Sequence, residues 1–389
     1  MRQGLAPITP RNVPSGWDAI RFTDAFTDRT GGQCKIKKGE YLPSGALPIV
    51  DQGQEPIGGF TSDLAAQCNV PLPCLLFGDH TRLVKYVDAP FALGADGVKV
   101  LEPRDDIDAR FAFHYLRALP LPEDAGYSRH FKFLKRTWFP LPPLPEQRRI
   151  AAILDKADAV RRKRQQTVDL ADQFLRSAFL DMFGDPVRNP KGWPERRLDS
   201  FAEIRGGVTK GRRLDGHHVV TVPYVRVANV QDGFLDLREV KQIEVLDTDV
   251  GKYRLLPGDV LLTVGGDPDK LGRGAVWTGE IDPCIHQNHI FSVRVDARVA
   301  EPQYISTLLG SAYGKRYFLR AGKQTTGIAT INRTQLSRFP ALFPPLALQS
   351  SFAAIVAIHR EAQGAATKRS GDLDALSVAL IQRAFRGEL

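Results

Sequence analysis

Two long stretches of the chain place apolar residues on one face of a helix. They run from about residue 145 to 183 and from about 347 to 385. Pro145 suits a first helical turn because its missing N–H would be unpaired there in any case. The run Gly184-Asp185-Pro186 ends the first pattern. Each stretch therefore predicts one helix about 58 Å long, at about 1.5 Å per residue.

An apolar stripe of this length on a lone helix would stay half exposed, so each helix needs a partner. The obvious partner is the other long helix, which predicts an antiparallel coiled coil. The alternative is that each helix packs on its own globular segment. The apolar positions predicted to pair are Ile150, Ile153, Ala157, Val160, Phe174, Phe352, Ile355, Leu373, Leu376 and Leu380.

The start of the first helix is repeated once along the chain. The sequence LPPLPEQRRIAAI at Leu141–Ile153 returns as FPPLALQSSFAAI at Phe343–Ile355, an offset of 202 residues (343 − 141). A repeat of about half the chain length indicates a duplicated unit with pseudo-two-fold symmetry, not a solenoid of short repeats.

The remaining sequence is typical of mixed α/β structure. Short apolar runs such as Leu75–Phe77, Asp259–Val264 and Ile290–Val295 predict strands, and Gly and Pro turns separate them. We therefore expect two similar mixed α/β (α+β) globular domains. The predicted division is 1–142 for the first domain, 143–185 for the central long helix, 186–342 for the second domain and 343–389 for the C-terminal long helix.

The composition is that of an ordinary globular protein. Hydrophobic residues make up 43% and charged residues 25% of the 389 residues, which excludes a mostly disordered chain and a fibre. No stretch of about 18 apolar residues predicts a membrane span, and Met1–Pro10 lacks the apolar run of a signal peptide. The 4 cysteines include no CxxC pair, so we expect a reducing, cytoplasmic location.

Basic residues are in excess and unevenly distributed. The formal net charge is +9, and residues 187–342 contribute +6 of it, as 23 Lys and Arg minus 17 Asp and Glu. Such an excess is compatible with a polyanionic partner, although many proteins that do not bind nucleic acid share it.

The sequence contains no strong signal for catalysis. It lacks a GxxxxGK[ST] phosphate loop, a GxSxG elbow and an HExxH pair. Cys284, His286 and His289 form a weak zinc-like cluster, for which a polar strand and loop is the favoured interpretation. The acidic residues in 267–269 vaguely suggest a nuclease site, but their Gly-rich surroundings favour a turn. No metal, cofactor or catalytic residue is therefore predicted.

Signals for nucleic-acid binding are better, although each alone is weak. Gly-rich basic loops let the backbone approach phosphates, and their Lys, Arg and Gln side chains can contact phosphates or base edges. A plain solvated loop is the alternative at each place. The basic run 161–164 most simply faces solvent or a partner protein; the alternative is that it follows the DNA backbone between the two domains. The candidate DNA-binding residues of the first segment are Gln52, Gln54, His80, Arg82, Tyr127, Arg129, His130 and Lys132. Those of the second are Thr209, Lys210, Arg212, Arg213, Tyr224, Arg226, Asn229, Lys323, Gln324, Thr325 and Asn332.

These motifs resemble the specificity subunits of type I restriction–modification systems. The resemblance covers essentially the whole chain. It rests on PLPPLPEQRRIAAILD at Pro140–Asp155, on its second copy at 343–355 and on the ending AFRGEL at 384–389. The sequences VPSGW at 13–17 and PKGW at 190–193 support it. The second copy departs from the family pattern at Leu348 and at Ser350-Ser351, which places any charged partner contact there in doubt.

The resemblance implies a non-catalytic subunit with two target-recognition domains. Each domain would read one half of an asymmetric bipartite site in double-stranded DNA. Two modification subunits, which bind S-adenosylmethionine and methylate adenine N6, and two ATP- and Mg-dependent restriction subunits would be its partners. The alternatives are a stand-alone metal-dependent DNA-processing enzyme and a purely structural coiled-coil scaffold.

Overall fold

The computed structural model describes residues 8–95, 97–122, 129–211, 214, 218–266, 272–325 and 328–389. The chain forms two compact units. The first unit contains Met1–Gln166 and Thr367–Leu389, and the second contains Thr167–Ala366. Both units are mixed α/β, which confirms that part of the predicted fold class.

The described residues of the first unit form short strands and three short helices besides its parts of the long helices. Its described strands are Asp18–Arg21 (β1), Phe26–Asp28 (β2), Lys35–Ile36 (β3), Leu47–Val50 (β4), Gly59–Thr61 (β5), Cys74–Gly78 (β6), Val84–Val87 (β7), Ala92–Gly94 (β8), Val98–Pro103 (β9) and Trp138–Leu141 (β10). Its short helices are Phe22–Ala25 (α1), Ala109–Ala118 (α2) and Phe131–Leu134 (α3). The first long helix is Leu144–Phe183 (α4).

The second unit repeats this order with additions. Its described strands are Glu195–Arg197 (β11), Ala202–Gly206 (β12), Val219–Val225 (β13), Lys241–Leu246 (β14), Asp259–Thr263 (β15), Gly265–Gly266 (β16), Gly274–Val276 (β17), Ile285–His286 (β18), Ile290–Val295 (β19), Lys323–Thr325 (β20), Ile328–Thr330 (β21) and Pro340–Leu342 (β22). Its short helices are Asp247–Tyr253 (α5), Pro302–Gly310 (α6), Ala312–Ala321 (α7) and Arg333–Ser337 (α8). The second long helix is Leu346–Phe385 (α9).

Corresponding strand pairings recur in the sheets of the two units. The antiparallel sheet β2-β9-β6-β7 of the first unit corresponds to β12-β19-β15-β17 of the second. Both units also contain a parallel pair, β4·β8 and β13·β18, and an antiparallel pair before the long helix, β1·β10 and β11·β22. The second unit adds a three-stranded sheet, β16-β21-β20. The repeated sheets show that the sequence repeat reflects a duplicated fold.

The two long helices contribute a segment to each unit. In the first unit, Arg149 donates to the backbone oxygen of Leu389 at 2.7 Å, and Arg161 lies 3.3 Å from Asp374. Residues later in α4 thus contact residues earlier in the C-terminal segment, so these two segments run antiparallel. Among the described residues, no helix is both long enough and apolar enough to span a bilayer.

In the second unit, the remaining segments of α4 and α9 also run antiparallel. Asp172 lies 3.2 Å from His359 and also accepts a hydrogen bond from Gln363 at 2.5 Å. The ring centroid of Phe183, further along α4, is 5.6 Å from that of Phe352, which is nearer the start of α9.

Each unit closes its core with aromatic residues from the end of a long helix. In the first unit, the ring centroid of Phe385 lies 5.5 Å from that of Phe111 and 5.1 Å from that of Tyr115. In the second, Phe183 lies 4.7 Å from Tyr304 by the same measure. All of these side chains are buried, so each helix end is part of the core of its unit.

Three of the predicted pairing positions are wrong. Val160, Phe174 and Leu376 are exposed to 50%, 61% and 53%. In each case the following residue faces the interior or the other helix. Arg161 pairs with Asp374, and Leu175 packs on the core. Ser377 lines a small cavity with Leu154 and Ile381. The apolar pattern is interrupted in the middle of each helix. A seven-residue spacing extended past this interruption therefore selects positions that are displaced by one residue.

The other predicted pairing positions are fully or partly buried. Ile150 and Phe352 have no exposed surface and belong to the cores of the first and second unit. Those of intermediate exposure are Ile153, Ala157, Ile355, Leu373 and Leu380.

A buried glutamine joins each globular segment to its long helix. Gln147 is fully buried; its Oε1 accepts the Asp108 N–H at 2.8 Å, and its Nε2 donates to the Pro142 and Asp106 oxygens, both at 2.9 Å. These bonds connect the start of α4 to the turn that begins α2.

The equivalent residue of the second unit, 202 positions later, makes the same kind of connection. Gln349 is also fully buried. Its Oε1 accepts the Glu301 N–H at 3.0 Å, and its Nε2 donates to the Pro344 oxygen at 2.8 Å. The duplication therefore extends to individual hydrogen bonds.

We predict that Gln147→Ala lowers the free energy of unfolding of the chain by about 3 kcal/mol, because it leaves buried backbone groups unpaired at about 1–3 kcal/mol each. Urea denaturation measures this difference. Gln166→Ala, at an exposed position of the same helix, is the control and should stay within about 0.5 kcal/mol of the parent. Equal effects of the two substitutions would contradict the assigned role of Gln147.

The corrected phase of α4 yields a second prediction. Phe183→Ala should cost about 3–5 kcal/mol because it empties a packed aromatic core site. Phe174→Ala should change the stability of the isolated chain by less than about 0.5 kcal/mol because its ring is already in solvent. A larger loss of unfolding free energy for Phe174→Ala, measured by urea denaturation, would support the original prediction that Phe174 is a pairing position.

Candidate nucleic-acid interface

Several candidate residues of the first unit come together at the end of one sheet. Gln52 follows β4 closely, and its Oε1 accepts the His80 N–H at 3.2 Å in the turn after β6. In the same turn, the Asp79 N–H donates to the Gly97 oxygen at 2.6 Å, and the Asp79 oxygen accepts the His130 N–H at 2.8 Å. The ends of β4 and β6, the start of β9 and the start of α3 thus meet at one place.

Local geometry holds this junction tightly. The buried Asp79 carboxylate accepts the Phe131 N–H at 2.7 Å, which ties the turn to α3. Gly97 has φ +76°, and a Cβ there would lie 2.7 Å from both Gln52 Nε2 and His80 Cδ2. A side chain at position 97 would therefore displace the two candidates beside it.

The junction contains one buried histidine flanked by exposed basic residues. Burial, followed by the positive charge of Arg82, lowers the pKa of His130. The lowered pKa disfavours the charged form of this side chain. Because His130 is buried and its N–H is bonded to the Asp79 oxygen, the prediction that it contacts DNA directly is wrong. Arg129 and Lys132 on either side are exposed and can neutralise phosphates. Gln54 is exposed as well, and Arg82 donates to the Pro122 oxygen at 3.4 Å.

The second unit forms the same junction from the equivalent elements. The Val264 N–H, after β15, donates to the His289 oxygen at 3.0 Å, and the Val264 oxygen accepts the Ile331 N–H at 2.9 Å. The Gln287 N–H donates to the Val225 oxygen, at the end of β13, at 3.0 Å.

The glycine-rich loop of the second unit lies against this junction. The Val208 N–H donates to the His286 oxygen at 2.8 Å, and the Val208 oxygen accepts the Asn288 N–H at 2.9 Å. Thr209 and Lys210, the next residues of the loop, are exposed. The sequence does not relate this loop to residues 286–289, because only the tertiary structure brings the two together.

Two candidates of the second unit are wrong as DNA contacts. Tyr224 is buried in a core cluster with Val222, since both residues face the same side of β13. Asn229 is also buried: its Nδ2 donates to the Asp236 and Glu239 oxygens at 2.8 and 3.0 Å, and its Oδ1 accepts a backbone N–H. The period-two alternation of β13 is the sequence signal that could have excluded Tyr224.

Two further candidates have structural partners. Arg226 lies 3.5 Å from the Glu239 carboxylate and donates to the backbone oxygen of the same residue at 3.3 Å. Asn332 is exposed and caps α8, where its Oδ1 accepts the Gln335 N–H at 2.9 Å.

The remaining candidates lie outside what the structure describes. Tyr127, Arg212 and Arg213 fall outside the described residues, as do the acidic residues of 267–269. For Lys323, Gln324 and Thr325 only the backbone of β20 is described.

The three residues of the weak zinc-like cluster do not form a metal site in the structure. Cys284 and His286 are buried, whereas His289 is exposed. His286 Nδ1 lies 3.3 Å from the Tyr253 oxygen, and burial lowers the pKa of His286 to about 4. Within the described part of the chain, no three His, Cys, Asp or Glu side chains are grouped so that they could hold a metal ion.

The lowered pKa of His286 predicts a pH-dependent stability. An unfolded histidine titrates near 6.5, so below that pH the unfolded chain binds a proton that the folded chain does not bind until about pH 4. The free energy of unfolding should therefore fall on acidification through this window, by up to about 3 kcal/mol from this group. In urea denaturation across pH 4–7, His286→Gln should show a shallower pH dependence than the parent; an identical slope would contradict the assignment.

Comparison with known proteins supports the resemblance predicted from the motifs. Residues 14–169 match the family model of the type I restriction modification DNA specificity domain. A Methanocaldococcus jannaschii protein named for the specificity subunit of the type I restriction enzyme MjaX is 26% identical over 198 residues, or 50% of this chain and 46% of that protein. The Escherichia coli K12 EcoKI specificity subunit is 24% identical over 276 residues, or 64% and 57%.

The matched region spans about half the length of these two relatives. A third relative, the EcoBI specificity subunit of Escherichia coli, is 20% identical over 351 residues and covers 80% of this chain and 72% of that protein. The motif-based resemblance to type I specificity subunits is thus confirmed.

Solved structures share the fold. The type I restriction–modification S subunit from M. genitalium has a TM-score of 0.59 at 15% identity, covering 97% of this chain and 99% of that one. A chain from a structural study of type I R-M complex assembly and conformational transition has a TM-score of 0.52 at 18% identity, covering 97% and 99%.

Proposed function

Because residues 14–169 match the type I restriction modification DNA specificity domain, we propose that this chain is the DNA sequence-recognition subunit of a type I restriction–modification complex. The observation that carries the proposal is the repeated junction: two units with corresponding strand pairings place the same strand ends together and surround them with different exposed side chains. One scaffold carrying two sets of side chains is suited to a site with two unlike halves.

Each unit would read one half-site. The exposed basic residues Arg129, Lys132 and Lys210 would bind phosphates, which supply affinity without sequence information. Polar side chains at the junctions, such as Gln54, would contact base edges in the major groove, which supply the discrimination.

The long helices would set the distance between the half-sites. We propose that they pair as an antiparallel coiled coil and that a pseudo-two-fold axis relates the two units. The antiparallel contacts within each unit and the equivalent Gln147 and Gln349 support this arrangement. About one helical turn of DNA would then separate the half-sites.

Catalysis would reside in partner subunits. Two modification subunits would supply S-adenosylmethionine and methylate adenine N6, which requires the base to leave the duplex. Two restriction subunits would supply ATP- and Mg-dependent translocation and cleavage. All three curated relatives are named as specificity subunits, which supports a non-catalytic role.

Mapping methylated adenines on DNA treated with the chain and its modification subunits tests this function. A single bipartite motif is the expected result. Cleavage or methylation by the isolated chain with magnesium would favour a stand-alone enzyme instead, and an assembled complex without sequence preference would favour a structural scaffold.

We predict that the double variant Arg129→Ala, Lys132→Ala weakens DNA binding without changing the preferred bases. Loss of two phosphate contacts should make the slope of log K against log salt concentration shallower by about 2. Binding titrations between about 50 and 200 mM salt measure this slope.

Arg104→Ala is the matched control for that experiment. Arg104 is also exposed, but it follows β9 at the end of the sheet opposite the junction and pairs with Asp106 at 2.6 Å. It should leave the slope unchanged. A slope that responds to Arg104 and not to the double variant would place the DNA elsewhere on the first unit.

A further inference from the structure

The three-residue loop between β18 and β19 combines a fixed backbone with free polar side chains. It consists of Gln287, Asn288 and His289. Its backbone is held on three sides, by the bonds to Val225, Val208 and Val264 described above. These bonds therefore fix the positions from which the three side chains leave the backbone.

Close packing strengthens this hold. A Cβ at Gly207 would lie 2.1 Å from the His286 oxygen and 2.5 Å from the Gln287 oxygen. The glycine-rich strand end therefore lies directly against the loop, and only a residue without a side chain fits there. The exposed Thr209 and Lys210 follow this packed segment in the sequence.

The side chains of the loop make no hydrogen bond within the described part of the chain. His289 is exposed. Gln287 and Asn288 are half-buried, and their amide groups reach solvent. Arg226 and Asn229, in contrast, are held by Glu239. Free donors and acceptors on a rigid backbone meet the requirement for base recognition, since Asn and Gln pair with adenine through two hydrogen bonds.

The equivalent loop of the first unit has a different character. Gly97 and His289 each directly precede the corresponding strand, β9 or β19, and each accepts the N–H of the residue after β6 or β15. The first loop reads Ala95-Asp96-Gly97 in sequence, without amide or imidazole side chains. In the sequence, the amide and imidazole side chains therefore occur at this place in the second unit and not in the first.

We propose that Gln287, Asn288 and His289 are base-reading residues for the half-site bound by the second unit. This inference rests on the proposed function and extends it to residues that the sequence motifs did not indicate. The basic loop beside them supplies the phosphate contact that brings the duplex onto the loop, and the amide side chains read base edges in the major groove.

The test compares Asn288→Ala and Asn288→Asp with the parent chain, each assembled with the modification subunits, by measuring methylation on a library of randomised sites. Asn288→Ala should reduce discrimination at one or two base positions of a single half-site by roughly 10- to 100-fold. Asn288→Asp should alter the preferred base at the same positions, because a carboxylate only accepts hydrogen bonds and favours the cytosine amino group. The other half-site should keep its preference.

Arg298→Ala is the control. Arg298 is exposed and pairs with Asp296 at 2.8 Å, beyond the end of β19 opposite the loop, and its loss should change neither half-site. Unchanged base preferences in both Asn288 variants, or equal changes in both half-sites, would overturn the inference. The proposed function would still stand if the parent complex methylated DNA sequence-specifically. A parent complex without sequence preference would overturn both. Failure of Asn288→Ala to fold would also overturn the inference, since it would assign the side chain an internal role.

Discussion

Burial of the aromatic ends of the long helices is the interaction on which both units depend. Phe385 completes a core whose other rings, Phe111 and Tyr115, come from a distant part of the chain. Phe183 does the same beside Tyr304 and Phe352. Because an apolar stripe cannot stay in water, each globular segment is completed only when helix segments from two parts of the sequence pack on it.

The buried glutamines turn that packing into a defined geometry. Apolar contact is not directional, whereas the bonds of Gln147 and Gln349 fix where each helix starts relative to its sheet. Such a connection leaves little freedom between the start of the helix and the sheet of the same unit, because the bonds of each glutamine reach both. The same connection in both units means that the halves can differ in their loops without differing in their frame.

The candidate interface illustrates how burial and hydrogen bonding sort residues of the same type. Asn229 and Asn288 are both in the second unit, and only Asn229 is among the residues predicted from the sequence to bind DNA. The structure engages Asn229 in bonds that hold a turn and leaves the Asn288 amide open to solvent. The partners of Asn229 lie in the turn that follows it, whereas the residues that hold the backbone around Asn288 come from parts of the chain distant in sequence.

The sequence by itself determined the mixed α/β class, the duplication and the bounds of the long helices to within about a turn, because helical spacing, proline positions and repeats are local properties of the chain. It also contained the motifs that carry the resemblance to type I specificity subunits. Only the tertiary structure decided which face of each helix is buried, as the exposed Phe174 and the packed Leu175 show. It also decided which polar residues meet at the sheet ends, since Val208, Val225 and Val264 reach the loop at 287–289 through contacts between residues far apart in the chain.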